Sequence, residues 1–84
     1  MKRIRFLRHA YERLQDRRAT VEEIVETIRT ADWTPVASGR WSCQKDFRFE
    51  SVWNGKFYAM KQVRPIFVEE PEEIVVVTVY VYYF

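Results

Sequence analysis

Residues 45–63 read KDFRFESVWNGKFYAMKQV, and the dipeptide Asn54-Gly55 at their centre is the strongest local signal in the chain. Both residues tolerate positive φ, which a two-residue type I′ hairpin turn requires. The flanking segments change side-chain character with a period of two, as strands do. The stretch therefore predicts a β-hairpin in which Trp53 pairs with Lys56 and Arg48 faces Lys61.

This register divides the side chains of the hairpin between two faces of a sheet. The predicted core face holds Cys43, Phe47, Phe49, Trp53, Tyr58 and Met60. The opposite face is mixed and holds Asp46, Arg48, Glu50, Val52, Phe57, Ala59, Lys61 and Val63.

A second turn, at Glu69–Glu72, leads into a predicted final strand over Ile74–Tyr83. If that turn is centred on Glu70-Pro71, Lys61 faces Tyr80 and Val63 faces Thr78. The predicted core side of this strand holds Val75, Val77, Val79, Val81 and Tyr83. Pro65 suits a strand edge or a bulge, and a bulge there would reverse the inferred faces.

Two helices are predicted before the sheet. Residues 8–18 contain no helix breaker and carry an apolar stripe that begins at Leu7, while residues 3–7 form either a short strand or the lead into this helix. The second helix begins with a capping box formed by Thr20 and Glu23. The expected fold is a single α+β domain over residues 1–84, with two N-terminal helices packed on a C-terminal antiparallel sheet of three to four strands.

Composition favours a folded domain inside the cell. The 84 residues are 48% hydrophobic with two glycines, so disorder is excluded. Cys43 is the only cysteine, which rules out an intramolecular disulfide and favours a reducing compartment. The apolar run Ile74–Phe84 has eleven residues, too few for a membrane helix. We therefore expect a soluble cytoplasmic protein.

The charges are unevenly distributed along the chain. Residues 1–18 hold seven basic side chains and two acidic ones, whereas residues 66–84 hold four glutamates and no basic residue. A basic first helix favours an anionic partner. The alternative is an ordinary solvated helix face.

One candidate site follows from the predicted strand pairing. Arg48 would lie opposite Lys61, and like charges across a strand pair are destabilising. An anion bound between them would offset that cost, and the hydroxyls of Tyr80 and Thr78 would help to hold a phosphodiester. The alternative is a plain solvated face neutralised by neighbouring carboxylates.

A second candidate group lies on the first helix. His9, Arg13 and Arg17 stand at i, i+4 and i+8, on one strip of its surface. Imidazole transfers protons near neutral pH and guanidinium binds phosphate, although such residues are also common on inert surfaces. These residues join Tyr80 in one site only if the helix runs along a sheet edge.

Other residue types point away from cofactor chemistry. Trp33, Trp41 and Trp53 are able to stack on bases, but in so small a chain packing is the favoured interpretation. Cys43 is interpreted as a buried small hydrophobe. No Cys/His spacing predicts a metal site and no glycine-rich phosphate loop is present, so we expect no cofactor.

Three motifs resemble a small bacterial family of unknown function. Its members typically read H-A-x-x-R-x-x-x-R, then T-x-E-E-I, and close on V-V-T-V-Y; the corresponding residues here are 9–17, 20–24 and 76–80. That family is regarded as related to the RelE/ParE and MqsR/BrnT toxins. The resemblance implies a helix-helix-sheet plan, metal-independent cleavage of RNA (often messenger RNA on the ribosome) by basic residues and a tyrosine, and a cognate antitoxin protein.

The leading hypothesis is therefore a toxin-like endoribonuclease. Its expected catalytic residues are His9, Lys61, Tyr80 and Arg48, and its expected RNA-binding residues are Arg13, Arg17 and Thr78. The resemblance supplies the histidine, the tyrosine and the RNA-binding set, while strand pairing supplies Arg48 and Lys61. The alternatives are a non-catalytic nucleic-acid-binding module, or an interaction domain whose sheet edge recruits a partner strand.

Overall fold

A computed structural model describes residues 2–84 of the protein. The chain forms, in order, β1 (Arg3–Phe6), α1 (Arg8–Asp16), α2 (Val21–Thr30), β2 (Thr34–Val36), β3 (Arg40–Ser42), β4 (Lys45–Trp53), β5 (Lys56–Glu69) and β6 (Glu73–Tyr83). The capping box predicted for α2 is confirmed: the Thr20 hydroxyl accepts from the Glu23 N–H, and the Glu23 carboxylate accepts from the Thr20 N–H.

The six strands of residues 2–84 belong to one mixed sheet. Its order is β1-β6-β5-β3-β2, and β4 also pairs with the long strand β5. β1 runs parallel to β6, whereas the other pairs are antiparallel. The prediction of an antiparallel sheet of three to four strands is therefore wrong. The sequence left residues 3–7 open between a strand and the lead into α1, and they form the four-residue strand β1. The missed strands β2 and β3 have three residues each, too few to show a side-chain period.

The two helices cover one face of this sheet. α1 packs against β6 and α2 against β5. The core between the layers consists of Ala10, Leu14, Ala19, Ile24, Ile28, Cys43, Val63, Phe67, Ile74, Val76, Val79 and Val81. We call this side of the sheet the inner face and the opposite side the outer face.

The Asn54-Gly55 hairpin is confirmed, but its register holds only near the turn. Both turn residues have positive φ, 53° and 83°, and Trp53 pairs with Lys56. A bulge between Arg48 and Ser51 then shifts the pairing by one residue, so that Phe47 faces Lys61. One extra residue in a strand moves the following side chains to the other face. The predicted Arg48–Lys61 pair is therefore wrong.

The pairing of β5 with β6 also differs from the prediction. Lys61 pairs with Tyr83, and Tyr80 pairs with Arg64. The turn is centred one residue later than expected, because Glu69 pairs with Ile74, and a second irregularity leaves Val77 without a partner in the register. Val79, Val81 and Tyr83 pack in or against the core cluster as predicted, but Ile74 and Val76 take the places predicted for Val75 and Val77. Val75 is buried outside that cluster.

These shifts place Lys61 on the inner face, where its side chain joins the helices to the sheet. The residue is 5% exposed. Its Nζ donates to the Arg18 carbonyl at 2.9 Å and lies 2.8 Å from Glu23 Oε1. The neighbouring Tyr83 hydroxyl donates to the Arg17 carbonyl. The connection between α1 and α2 is thus held by two side chains that are paired across β5 and β6.

We predict that Lys61→Met lowers the free energy of unfolding by about 1–3 kcal/mol, although methionine keeps most of the buried volume. The substitution leaves the Arg18 carbonyl without its donor and Glu23, whose side chain is 20% exposed, without its cation. Denaturant unfolding measures the change. Arg48→Met is the control, since that side chain is 79% exposed, and it should change stability by less than about 0.5 kcal/mol.

The β4 bulge gives a second prediction. Glu50 has φ of 46°, a conformation that is costly for residues with a Cβ and most costly for β-branched ones. Glu50→Val should destabilise the protein by roughly 1–2 kcal/mol, whereas Glu50→Gly should be neutral or slightly stabilising. Thermal unfolding of the wild type and the two variants measures the order of their stabilities. Arg48→Val, at a position of the same strand without positive φ, should have little effect, and equal losses at both positions would refute the bulge.

Candidate functional site

Helix α1 runs beside the C-terminal part of β6, along an edge that no strand of residues 2–84 occupies. β1 pairs with β6 only as far as Val76, where the Leu7 N–H donates to the Val76 carbonyl at 3.0 Å before the chain turns into α1. Within residues 2–84, this edge has no strand partner beyond Val76. Ala10 and Leu14 anchor the helix in the core. The strip that carries His9 therefore faces the strand edge.

A cleft of about 280 Å³ lies between this strip and the strand. It is lined by His9, Arg13, Arg17, Arg40, Val77, Thr78, Val79 and Tyr80. The structure therefore brings together five of the predicted site residues, which belong to the first and the last of the three sequence motifs. The condition stated for one site, a helix along a sheet edge, is met for His9 and Tyr80.

The polar side chains that line this cleft are basic or carry hydroxyl groups, and Val77 and Val79 complete the lining. The lining contains the guanidinium groups of Arg13, Arg17 and Arg40 and no carboxylate. Among the described residues, none of these three arginines forms an ion pair, in contrast to Arg5, which binds Glu73 at 3.0 Å. A group of uncompensated guanidiniums attracts anions and suits phosphate in particular.

Two predicted site residues lie elsewhere. Lys61 is buried beneath the helices, and Arg48 is exposed with its Nε 4.0 Å from Glu50. The proposed grouping of Arg48, Lys61 and Tyr80 is therefore wrong.

The cleft also contains a residue that sequence reasoning missed. Arg40 begins the three-residue strand β3 and reaches the cleft across the sheet. The position of Arg40 depends on the pairing of Trp41 and Ser42 in β3 with β5, a strand that is distant in sequence. The only available signal was the positive charge itself.

The tryptophans are structural, as the favoured interpretation held. The Trp33 ring packs on Phe67 and Trp41 at centroid distances of 4.8 and 5.9 Å, and its Nε1 donates to the Ile28 carbonyl. The Trp53 ring stacks on Tyr83 at 5.0 Å. These aromatic faces are occupied by other rings of the same chain.

Cys43 is a buried core residue, which confirms its interpretation as a small hydrophobe. It is 4% exposed, and its thiol donates weakly to the Thr27 carbonyl at 3.6 Å. Burial disfavours the thiolate and raises the pKa of Cys43 to about 11. A thiol in this state is a poor nucleophile near neutral pH.

We therefore expect iodoacetamide to alkylate Cys43 at pH 8 about a hundredfold more slowly in the native protein than in the unfolded chain. The native rate should rise with pH until it levels off near the raised pKa of about 11. Mass spectrometry after timed quenching measures both rates, with the chain in guanidinium chloride as the control. Similar rates in the two states would show that the thiol is accessible and ionised.

Two kinds of site are absent from residues 2–84: a cluster of metal-binding side chains and a membrane-spanning helix. No group of three or more His, Cys, Asp or Glu side chains in this range is placed to hold a metal ion. The helices in the same range have nine and ten residues, and neither is long and apolar enough to cross a membrane.

Comparison with known proteins identifies a family. The family model Domain of unknown function (DUF4258) matches residues 6–81. No curated protein and no solved structure matches the chain significantly. The matched range contains α1, α2 and β6 as far as Val81, and with them all the residues that line the cleft. The chain therefore belongs to the DUF4258 family.

Proposed function

We propose that the cleft between α1 and β6 binds the phosphodiester backbone of RNA and cleaves it without a metal ion. The observation that carries this proposal is the convergence of His9 and Tyr80 with three guanidiniums that have no carboxylate partner among the described residues. These groups come from α1, β3 and β6, which are separated in sequence but meet at one strand edge.

The arginines supply binding and charge stabilisation. Guanidinium groups hold phosphate oxygens through paired N–H donors. Arg13 and Arg17 are half-buried beside the strand, so their donors are held in a narrower range of positions than those of a fully exposed side chain. The negative charge that develops on phosphorus-bound oxygens during cleavage is stabilised by such pre-positioned donors.

His9 and Tyr80 supply the proton transfers. In the proposed reaction, one of them takes the proton from the RNA 2′-hydroxyl while that oxygen attacks the adjacent phosphorus. The bond from phosphorus to the 5′ oxygen breaks, and the other residue protonates the departing oxygen. The products are a 2′,3′-cyclic phosphate and a free 5′-hydroxyl, so no redox step or metal-bound water is needed.

The relationship of the family that the chain resembles to the RelE/ParE and MqsR/BrnT toxins supports the same proposal. Active members of that group cleave RNA with basic residues and a tyrosine, and the motifs that carry the resemblance here supply His9, Arg13, Arg17, Thr78 and Tyr80. We accordingly propose a toxin of a bacterial toxin–antitoxin system that acts in the cytoplasm and is neutralised by a cognate antitoxin protein.

Cleavage of a radiolabelled RNA in the presence of EDTA tests the proposal. We expect His9→Ala and Tyr80→Phe each to lower the cleavage rate by about a hundredfold or more, since each removes a proton-transfer group. Arg13→Ala should weaken RNA binding and reduce its salt dependence. Cyclic phosphate ends on the products would identify attack by the 2′-hydroxyl.

Arg8→Ala is the matched control for these variants. Arg8 is also a cation on α1, but it is 92% exposed and lies near Glu12 rather than in the cleft. This variant should cleave RNA at the wild-type rate. If the wild-type protein binds RNA in a salt-dependent manner and leaves it intact, the catalytic proposal is wrong and the alternative of a non-catalytic binding module is favoured.

A further inference from the structure

A stripe of aromatic side chains lies on the outer face of β6 and continues past its end. Tyr80, Tyr82 and Phe84 alternate with inward-facing residues and are 44%, 46% and 56% exposed. Phe84 follows the last residue of β6, yet its N–H and carbonyl both bond to the backbone of Met60, at 3.0 and 2.8 Å. The third ring is therefore held in the same register as the other two. We call these three residues the aromatic stripe.

The aromatic stripe is not explained by the core of the domain. The residues between its members, Val81 and Tyr83, face the helices. No helix covers the outer face among the described residues, because α1 and α2 both lie on the inner side. Three large exposed rings in a row are unusual on the surface of a small domain and mark a binding surface.

The aromatic stripe begins at the cleft. Tyr80 belongs to both. A nucleic-acid strand that leaves the cleft along β6 would therefore meet Tyr82 next and Phe84 after it. Alternate residues of a strand are roughly 6.8 Å apart. The stripe therefore offers successive flat surfaces in a line rather than one enclosed pocket.

The charged side chains beside the stripe are two arginines and two carboxylates. Arg64 is paired directly with Tyr80, and Arg48 is paired with Met60, which is the neighbour of Phe84. Two carboxylates lie nearby, but Asp46 accepts a hydrogen bond from Gln62 at 3.1 Å and Glu50 lies 4.0 Å from Arg48. Arg64 is therefore the cation beside the stripe that forms no ion pair among the described residues. Aromatic rings with a neighbouring arginine are used to bind single-stranded nucleic acid.

We propose that the aromatic stripe is a stacking platform for the unpaired bases of a single-stranded RNA whose backbone enters the cleft. Tyr82 and Phe84 would each stack on one base, while Arg64 contacts a phosphate beside Tyr80. Because paired bases are already stacked on each other, the platform favours unstructured RNA over duplex RNA. This proposal rests on the assignment of the cleft to RNA and names the form of RNA that it receives.

A binding assay with a non-cleavable substrate tests the platform separately from the chemistry. The probe is a short unstructured oligoribonucleotide with 2′-O-methyl groups, labelled for fluorescence anisotropy. We expect the double variant Tyr82→Ala/Phe84→Ala to raise Kd by about a hundredfold, since each lost stacking contact is worth roughly tenfold. Binding of a duplex of equal length should be weak and should change little.

Phe57→Ala is the matched control, because Phe57 is 60% exposed but belongs to the hairpin end of β5, where it pairs with Val52 and not with β6. It should bind the probe like the wild type. Tyr82→Leu/Phe84→Leu keeps the apolar surface and should still lose affinity, which separates stacking from a general hydrophobic effect. Circular dichroism and thermal unfolding establish that each variant is folded.

The two proposals fail in different ways. A dinucleotide that fills only the cleft should be cleaved by the double variant at the wild-type rate, and loss of that cleavage would assign the stripe residues to the cleft instead. The platform would be overturned if the double variant bound the single-stranded probe with wild-type affinity. It would also be overturned if the double variant bound the probe normally and lost only its binding to a protein antitoxin. A third outcome is that the wild-type protein binds the probe, the stripe variants do not, and no RNA is cleaved by any of them. In that case the platform stands and the proposed chemistry is wrong.

Discussion

The buried ammonium group of Lys61 connects the helical layer to the sheet. It binds the Arg18 carbonyl at the end of α1 and the Glu23 carboxylate that caps α2, while lying over the Phe49 ring. Removing one partner from such a pair leaves a desolvated charge or carbonyl, which costs more than the pair itself contributes. With Tyr83 on the Arg17 carbonyl, this contact fixes where α1 ends and hence the line along which it lies.

The position of α1 decides which residues form the cleft. Strand β1 occupies the edge of β6 only as far as Val76, and α1 lies beside the remainder. The side chains of β6 therefore lie in three different environments. Val79 and Val81 face the core, Thr78 and Tyr80 line the cleft, and Tyr82 lies on the outer face. The alternation of side chains along a strand makes this division possible, and the extra residue at Val77 sets its phase.

Features that depend on a few neighbouring residues were predictable. The turn at Asn54-Gly55, the capping box of Thr20 and Glu23, and the strip that begins at His9 each follow from contacts within a few residues of one another. The pairing of Lys61 was not predictable in this way. A bulge in which Glu50 adopts positive φ, and a turn one residue later than expected, moved its side chain from the outer to the inner face.

Local chemistry in the chain thus dictates where the helices begin, where the main hairpin turns and which residues of α1 share one strip of its surface. Tertiary structure alone decided that β1 pairs in parallel with β6, that Arg40 reaches the cleft and that Lys61 is buried. The physical reason is that strand register is a long-range property. It is set by bulges and by burial summed over whole strands, and a change of one residue exchanges the two faces of a sheet.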